Sequence, residues 1–318
     1  MVSVAMCTYN GSKYIKEQLI SILDQTQKIE EIVICDDNSS DNTVEIAKEV
    51  LENTDIKVKI IRNEVQKGVT KNFENALMNC TGDIIFLSDQ DDVWSKNKVE
   101  IICKEMQNKE NGMLFFTDAY LVDANLNKLD KSLWEKVGIE GSCSFGVLDF
   151  LGKRFVTGAT VAIRKDILKY ALPIPECWIH DAWLAVNAAL YGKVYAIKEK
   201  TIFYRQHSSN VIGVRNKSFF ETIKYRWNNL DESWKFREKM ACRMGTFIEH
   251  NNHKLTTDEQ LEYEKSYKFW VSTYQIKGTS ILRGLKVIIA NLWNGNYKKY
   301  NHGAYGALVD FCILISIR

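Results

Sequence analysis

Between residues 2 and 87, apolar runs of strand length alternate with stretches of helical period. The strand-like runs are Val2-Ser3-Val4-Ala5-Met6-Cys7, Glu31-Ile32-Val33-Ile34-Cys35, residues 57–61 and residues 83–87. Ile15, Leu19, Ile22 and Leu23 recur at helical spacing after the first run. Val44, Ala47 and Leu51 do so after the second, and Val69, Phe73, Ala76 and Leu77 after the third. Short connections in such a pattern leave few folds open. Parallel strands must be joined by crossovers, so the expected fold is an α/β sheet covered by helices on both faces. Ligands of such sheets bind beyond the carboxyl ends of the strands.

Three of these strand ends carry polar clusters: Thr8-Tyr9-Asn10, Asp36-Asp37-Asn38 and Asp89-Gln90-Asp91. The third is the sharpest, because Phe86-Leu87-Ser88 runs straight into Asp89, Asp91 and Asp92. Carboxylates so close repel one another unless a cation sits among them. Asp89 and Asp91 offer hard oxygens at Asp-x-Asp spacing, which suits Mg²⁺ or Mn²⁺ completed by substrate phosphates. An acidic turn, with Asp92 or Ser95 capping the next helix, accounts for the same residues. Convergence of the three clusters in one crevice favours the metal. No Gly-x-Gly-x-x-Gly follows the first strand and no Walker lysine loop occurs. A dinucleotide dehydrogenase or P-loop NTPase is therefore disfavoured. A nucleotide would be held by carboxylates and side-chain amides.

Further along, a mostly polar helix is expected to about residue 109, a strand over 113–118 and an exposed turn region over 122–131. Residues 155–163 read as a strand broken by Gly158, which marks a bulge or the close approach of a ligand. Trp178-Ile179-His180-Asp181 opens a helix to about residue 191, and short strands follow at 194–197 and 202–207. From about residue 217 the chain turns helical, aromatic and basic. The expected division is a catalytic domain over 1–215 and a helical extension over 216–318.

The net charge of +2 gives no reason to expect nucleic acid as a partner. The eight cysteines lack any Cys-x-x-Cys pair, as expected for reduced thiols in a cytoplasmic protein. The first residues lack a basic leader, and the longest apolar stretch, 304–317, contains Asp310 and is too short to span a bilayer.

Taken in order, Val4-Ala5-Met6-Cys7-Thr8-Tyr9-Asn10-Gly11, Ile34-Cys35-Asp36-Asp37-Asn38-Ser39-Ser40-Asp41, residues 63–68 with Asn72, and Ser88-Asp89-Gln90-Asp91-Asp92-Val93-Trp94 resemble the successive motifs of glycosyltransferase family two. With Tyr204-Arg205-Gln206-His207 and Asn210, the style is similar to bacterial rhamnosyltransferases of surface-polysaccharide synthesis. The resemblance covers roughly residues 1–210 and implies a GT-A fold, a mostly parallel Rossmann-like sheet flanked by helices.

The resemblance also assigns roles. Thr8, Tyr9 and Asn10 would line the base and ribose site, and Asp37 would contact the base, an Asx-turn role being its alternative. Asp41 reads as a helix N-cap. Lys67 would lie near nucleotide or phosphate, or else be a solvated surface lysine. Asp89 would serve nucleotide and metal, Asp91 would ligate the metal directly, and His207 would complete that site or be a structural histidine. Asp181 matches the catalytic base, and equally the N-cap of its helix. Asp92, Trp94, Gly158, His180 and Arg205 would face the sugar or the acceptor. Many relatives carry Glu-Asp where this chain has His180-Asp181, which leaves the acceptor contacts open.

The implied enzyme is a metal-dependent, inverting glycosyltransferase. It would move a sugar from dTDP-rhamnose or a UDP-hexose to a saccharide or lipid-linked acceptor. Two other functions fit the residues: a nucleotidyltransferase, which would release pyrophosphate and give Asp181 no task, and a non-catalytic nucleotide-sugar-binding protein. In the extension, Arg226, Trp227, Lys286, Trp293, Lys298, Lys299 and Phe311-Cys312-Ile313-Leu314 suggest contact with the inner face of the cell membrane. The tryptophans read better as packing residues, and the cations are left open.

Overall fold

β1 (Val2–Thr8) and β2 (Glu31–Asp36) are buried at every position. A half-wet sheet would show alternation, so continuous burial demands helices on both faces. The remaining strands are β3 (Lys57–Arg62), β4 (Ile84–Ser88), β5 (Val93–Trp94), β6 (Gly112–Val122), β7 (Lys128–Ser132), β8 (Val161–Arg164) and β9 (Lys193–Arg205). The computed structural model describes residues 1–139, 145–152, 156–206 and 229–316. The chain divides into two compact units, Met1–Val214 and Arg215–Arg318.

In the first unit one sheet runs β3-β2-β1-β4-β8-β6-β9-β5, with β7 paired to β6. β1 to β4, β6 and β9 share one direction, and β5, β7 and β8 oppose it. The helices are α1 (Ile15–Leu23), α2 (Thr43–Leu51), α3 (Val69–Asn79), α4 (Lys98–Asn108), α5 (Leu133–Val137), α6 (Val147–Gly152), α7 (Leu168–Ala171) and α8 (His180–Tyr191). α1 buries Ile15, Gln18, Leu19 and Ile22, and α3 buries Asn72, Phe73, Ala76 and Leu77. The apolar stripes read from the sequence are buried except for Leu23, which is half-buried, and Val69, which is exposed, and each face includes one amide that serves the site.

The second half of this unit departs from the sequence reading. Residues 158–160 form a 3-10 turn, and only Val161–Arg164 is strand. The region expected as exposed turn holds β7. The two short strands before residue 207 are one strand, β9. Its pairing with β6 shifts register where Ile197 faces Thr117 and Lys200 faces Asp118, so Lys198 and Glu199 bulge into solvent without ending the strand.

The second unit consists of α9 (Leu230–Asn251), α10 (Thr257–Tyr274), α11 (Ile281–Trp293), α12 (Asn296–Tyr300) and α13 (Ala304–Ile315). Asp310, inside the apolar α13, is fully buried, and its carboxylate accepts from Arg237 Nε and, at 2.5 Å, from the Tyr297 hydroxyl. Arg237 also donates to the Ser233 carbonyl at 2.6 Å. An unmatched acid there would be costly; the guanidinium and phenol offset its desolvation. Trp270 is buried, as a packing residue should be, but Trp293 is 91% exposed. Arg226 and Trp227 lie outside the described residues.

Candidate active site

The carboxyl ends of β1, β2 and β4 open on a cleft of about 310 Å³. Thr8, Tyr9 and Asp37 line one side, and Asp89, Gln90 and Asp91 the floor. Gly158, His180, Asp181 and Tyr204 face them.

The first side is built by two neighbouring aspartates with different tasks. Asp36 accepts from Thr8 Oγ1 at 2.7 Å, from the Ser39 N–H at 2.8 Å and from Ser39 Oγ at 2.5 Å, which locks the β1 and β2 ends together. Asp37 borders the cleft and organises the loop before α3. Its Oδ1 accepts from Asn63 Nδ2 at 2.9 Å and the Lys67 N–H at 2.7 Å, and its Oδ2 from the Gly68 N–H at 2.8 Å. Gly68 presents that N–H from φ 82° and ψ 160°, a conformation open in practice only to glycine. Carboxylates have lone pairs beyond these three, so the loop-holding role and a base contact are compatible.

Two residues placed here by sequence fall elsewhere. Asn10, at φ 47°, lies outside the cleft lining, and its Oδ1 accepts from the Ser40 N–H at 2.8 Å. Lys67 is exposed and contributes its backbone N–H, while its side chain is not part of the lining. Nor is Asp41 the N-cap of α2. Asn42 holds that position, and Asp41 bridges the N–H groups of Ser12 and Thr43, both at 3.1 Å.

The floor is an excess of negative charge. Burial, then Asp91 and Asp181, push Asp89 up to about 7. Asp92 is raised well above the carboxylate range by burial and by Asp91 and Asp89. Its Oδ1 accepts from the Arg205 N–H at 3.0 Å, and its Oδ2 has no hydrogen-bond partner among the described residues. Beneath the cluster lies Lys98, fully buried, donating to the Ala159 carbonyl at 2.7 Å and standing 4.2 Å from the Trp94 ring centroid. Burial pulls its ammonium down to about 7, while Asp92 and Asp89 act to keep it charged.

The loop carrying these acids is clamped from three directions. Gln90 holds the Tyr9 backbone with paired bonds, Nε2 to the carbonyl and Oε1 from the N–H, each 2.8 Å. Gln18 Nε2 donates to Ser88 Oγ at 2.8 Å and to the Asp89 carbonyl at 3.2 Å. Arg205, expected at the acceptor, is buried and donates from Nε to the Asp91 carbonyl, 2.8 Å, and from its amino groups to Ala124 and Glu17, both 2.6 Å. It braces the loop and does not line the cleft. Trp94 and Asp92 are likewise buried outside the lining, Trp94 packing on Phe86. Asp92 caps no helix, since Asn97 stands at the start of α4.

On the opposite side, Asp181 is the second residue of α8, whose N-cap is Ile179. It is therefore not the cap. Its Oδ2 accepts from the Gly158 N–H at 3.1 Å and its Oδ1 from the Ala182 N–H at 2.6 Å, which fixes the carboxylate at the cleft edge. Gly158 marks a close approach, but of protein: a Cβ there would lie 2.7 Å from His180 Nε2. His180 stacks on Phe73 with centroids 4.0 Å apart. Neither ring nitrogen has a hydrogen-bond partner among the described residues; burial lowers its pKa, which Asp181 opposes. Tyr204, quoted in a motif but given no task, lines the cleft; burial and the four carboxylates facing it raise its phenol well above normal. His207 and Asn210 lie outside the described residues.

Could a divalent ion sit here? Among the described residues no group of three His, Cys, Asp or Glu side chains forms a metal cage. Asp89 and Asp91 supply two hard donors over a floor whose charge Lys98 cannot balance alone. That donor set fits Mg²⁺ or Mn²⁺ when a substrate's phosphates complete the shell.

Residues 3–170, more than half of the chain, match the family model described as Glycosyl transferase family 2. The chain belongs to that family. One relative, the dTDP-rhamnosyl transferase RfbG of Shigella flexneri, is 31% identical over 252 residues, covering 74% of this chain and 82% of its own length. Another, the glucosyltransferase WfgD of Escherichia coli, named for transfer from UDP-Glc to GlcNAc-diphosphoundecaprenol, is 39% identical over 101 residues. That match covers 32% of this chain and 39% of WfgD, so the chain aligns with less than half of that relative's length. Residues 1–349 of S. aureus TarS, solved with UDP-GlcNAc, superpose with a TM-score of 0.57 at 17% identity, covering 97% of this chain and 90% of that portion. Family and neighbour agree on the GT-A fold.

Proposed function

We propose that this family 2 member transfers a sugar, with inversion, from a nucleoside-diphosphate donor to a hydroxyl of a saccharide acceptor in polysaccharide biosynthesis. The observation that carries this reading is one cleft with Asp89 and Asp91 on its floor and the pinned Asp181 carboxylate facing them. In-line displacement needs leaving-group charge neutralised on one side and a proton accepted on the other. Mn²⁺ or Mg²⁺ held by Asp91 and Asp89 would act as Lewis acid toward the departing diphosphate. Asp181 accepts the proton of the acceptor hydroxyl, its rotamer fixed by the Gly158 N–H. Thr8, Tyr9 and Asp37 border the nucleotide. His180 packs beside the base, Asp181, its ring stacked on Phe73 and its Nε2 turned to Gly158.

The donors to try are dTDP-rhamnose and UDP-hexoses, because RfbG is named for the first and WfgD for UDP-glucose. A lipid-linked saccharide is the acceptor class to try, because WfgD is named for one. The test is release of nucleoside diphosphate from these donors with Mn²⁺, with and without EDTA. Diphosphate release that needs the metal and a saccharide supports the reading. Release of pyrophosphate would replace it with nucleotidyl transfer. Tight donor binding without turnover on any saccharide would favour a non-catalytic binder.

A further inference from the structure

Within the C-terminal unit, α11 buries Gly284, Ile288 and Asn291 and turns its apolar side outward. Leu282 is 76% exposed, Ile289 61% and Trp293 91%. Residues at these spacings share one face of a helix. The usual arrangement is inverted, because the polar Asn291 points inward and donates to Ser272 Oγ at 3.2 Å. α13, whose Leu314 packs on the α11 backbone at Gly284, also exposes an apolar stripe, Leu308, Phe311 and Ile315.

Charge along this segment has one sign. Residues 280–316 contain Arg283, Lys286, Lys298 and Lys299 but a single acid, Asp310, which is buried against Arg237 and Tyr297. Lys299 meets Glu262 of α10 at 2.7 Å. Arg283, Lys286 and Lys298 are exposed and make no ion pair among the described residues.

We propose that this face docks on an anionic phospholipid surface. Leu282, Ile289 and Trp293 enter the headgroup layer, and Arg283, Lys286 and Lys298 meet lipid phosphates. Tryptophan and aliphatic side chains at the acyl boundary, flanked by cations, are the chemistry such a surface selects. A second copy of the chain is the competing occupant. A two-fold contact through this face would bring the same cations together, where like charges repel. No described helix is long and apolar enough to cross a membrane. The association stands independently of the transfer reaction proposed above.

The test is flotation of the full chain with vesicles of phosphatidylcholine plus phosphatidylglycerol, and with phosphatidylcholine alone. Binding to the anionic vesicles, weakened by salt, is expected. Arg283→Gln and Lys286→Gln should each weaken it by about fivefold. The combined Leu282→Ser, Ile289→Ser, Trp293→Ser variant should stay at the bottom of the gradient with an unchanged circular dichroism spectrum, because these side chains are exposed. Absence of flotation in the parent chain, or equal flotation of the triple variant, would overturn the proposal. A concentration-dependent dimer that the triple variant splits, without vesicle binding, would assign the face to a second copy.

Discussion

Two groups of buried acids show how differently a fold can treat the same charge. Asp310 in the C-terminal unit is enclosed with a guanidinium and a phenol, so its carboxylate is matched. Asp89, Asp91 and Asp181 line the cleft and Asp92 is buried outside the lining; one buried ammonium, Lys98, faces Asp89 and Asp92, and an Asp92 oxygen has no hydrogen bond among the described residues. In the first arrangement both partners of the acid come from the protein, although Arg237 Nη2 has no hydrogen-bond partner among the described residues. The second is a donor set that suits a divalent cation. Under-compensated charge held in place by Gln90, Gln18 and Arg205 is thus the mark of a site, whereas compensated charge is the mark of a scaffold.

The contrast can be broken by mutation. The largest effect belongs to Asp181→Asn, which should lower kcat by about 10²–10⁴-fold and leave donor affinity, read by calorimetry, unchanged. Retained turnover would remove Asp181 from proton transfer. Next comes the matched group: Arg237→Met or Asp310→Asn alone should cost about 3–5 kcal/mol in urea unfolding, while Arg237→Met with Asp310→Leu should recover most of the loss. If the pair costs as much as either single change, the match is not what holds that core.

A smaller effect sharpens the cleft half of the comparison. Asp89 is raised in the fold from the ordinary 3.8 to about 7. Between those values the folded chain holds a proton that the unfolded chain has released, so stability falls as pH rises through this window. A bound divalent cation removes that cost. Mn²⁺ should therefore raise the melting temperature more at pH 8 than at pH 5, and Asp89→Asn should flatten the difference. Equal shifts at both pH values would contradict an uncompensated floor. The smallest effect is Lys67→Ala, within about 0.5 kcal/mol of the parent in stability and donor binding, because only its N–H is used. A large loss of donor affinity would return the side chain to the site.

The parallel half of the sheet was legible because its burial is two-sided, which writes β1 and β2 as unbroken apolar runs. The other half was not. Lys198 and Glu199 look like a turn, yet they are a bulge in a strand whose partner fixes its course, and β7 is an exposed strand with little apolar signal. Within the site, motifs gave residue types at strand ends, and topology gathered Thr8, Tyr9, Asp37, Asp89, Asp91, Gly158, His180 and Asp181 around one cleft. They could not tell a lining side chain from a bracing one, so Arg205 and Trp94 were placed too close to substrate. Lys98 carried no signal at all, since a lysine at the start of a polar helix reads as solvated.

The 158–160 turn is gripped twice: its first N–H holds Asp181 and its middle carbonyl receives Lys98. A shift of that short segment is felt by both halves of the chemistry at once. Attempts to redesign acceptor choice should leave it untouched, and His180 with it, since that imidazole packs against Gly158.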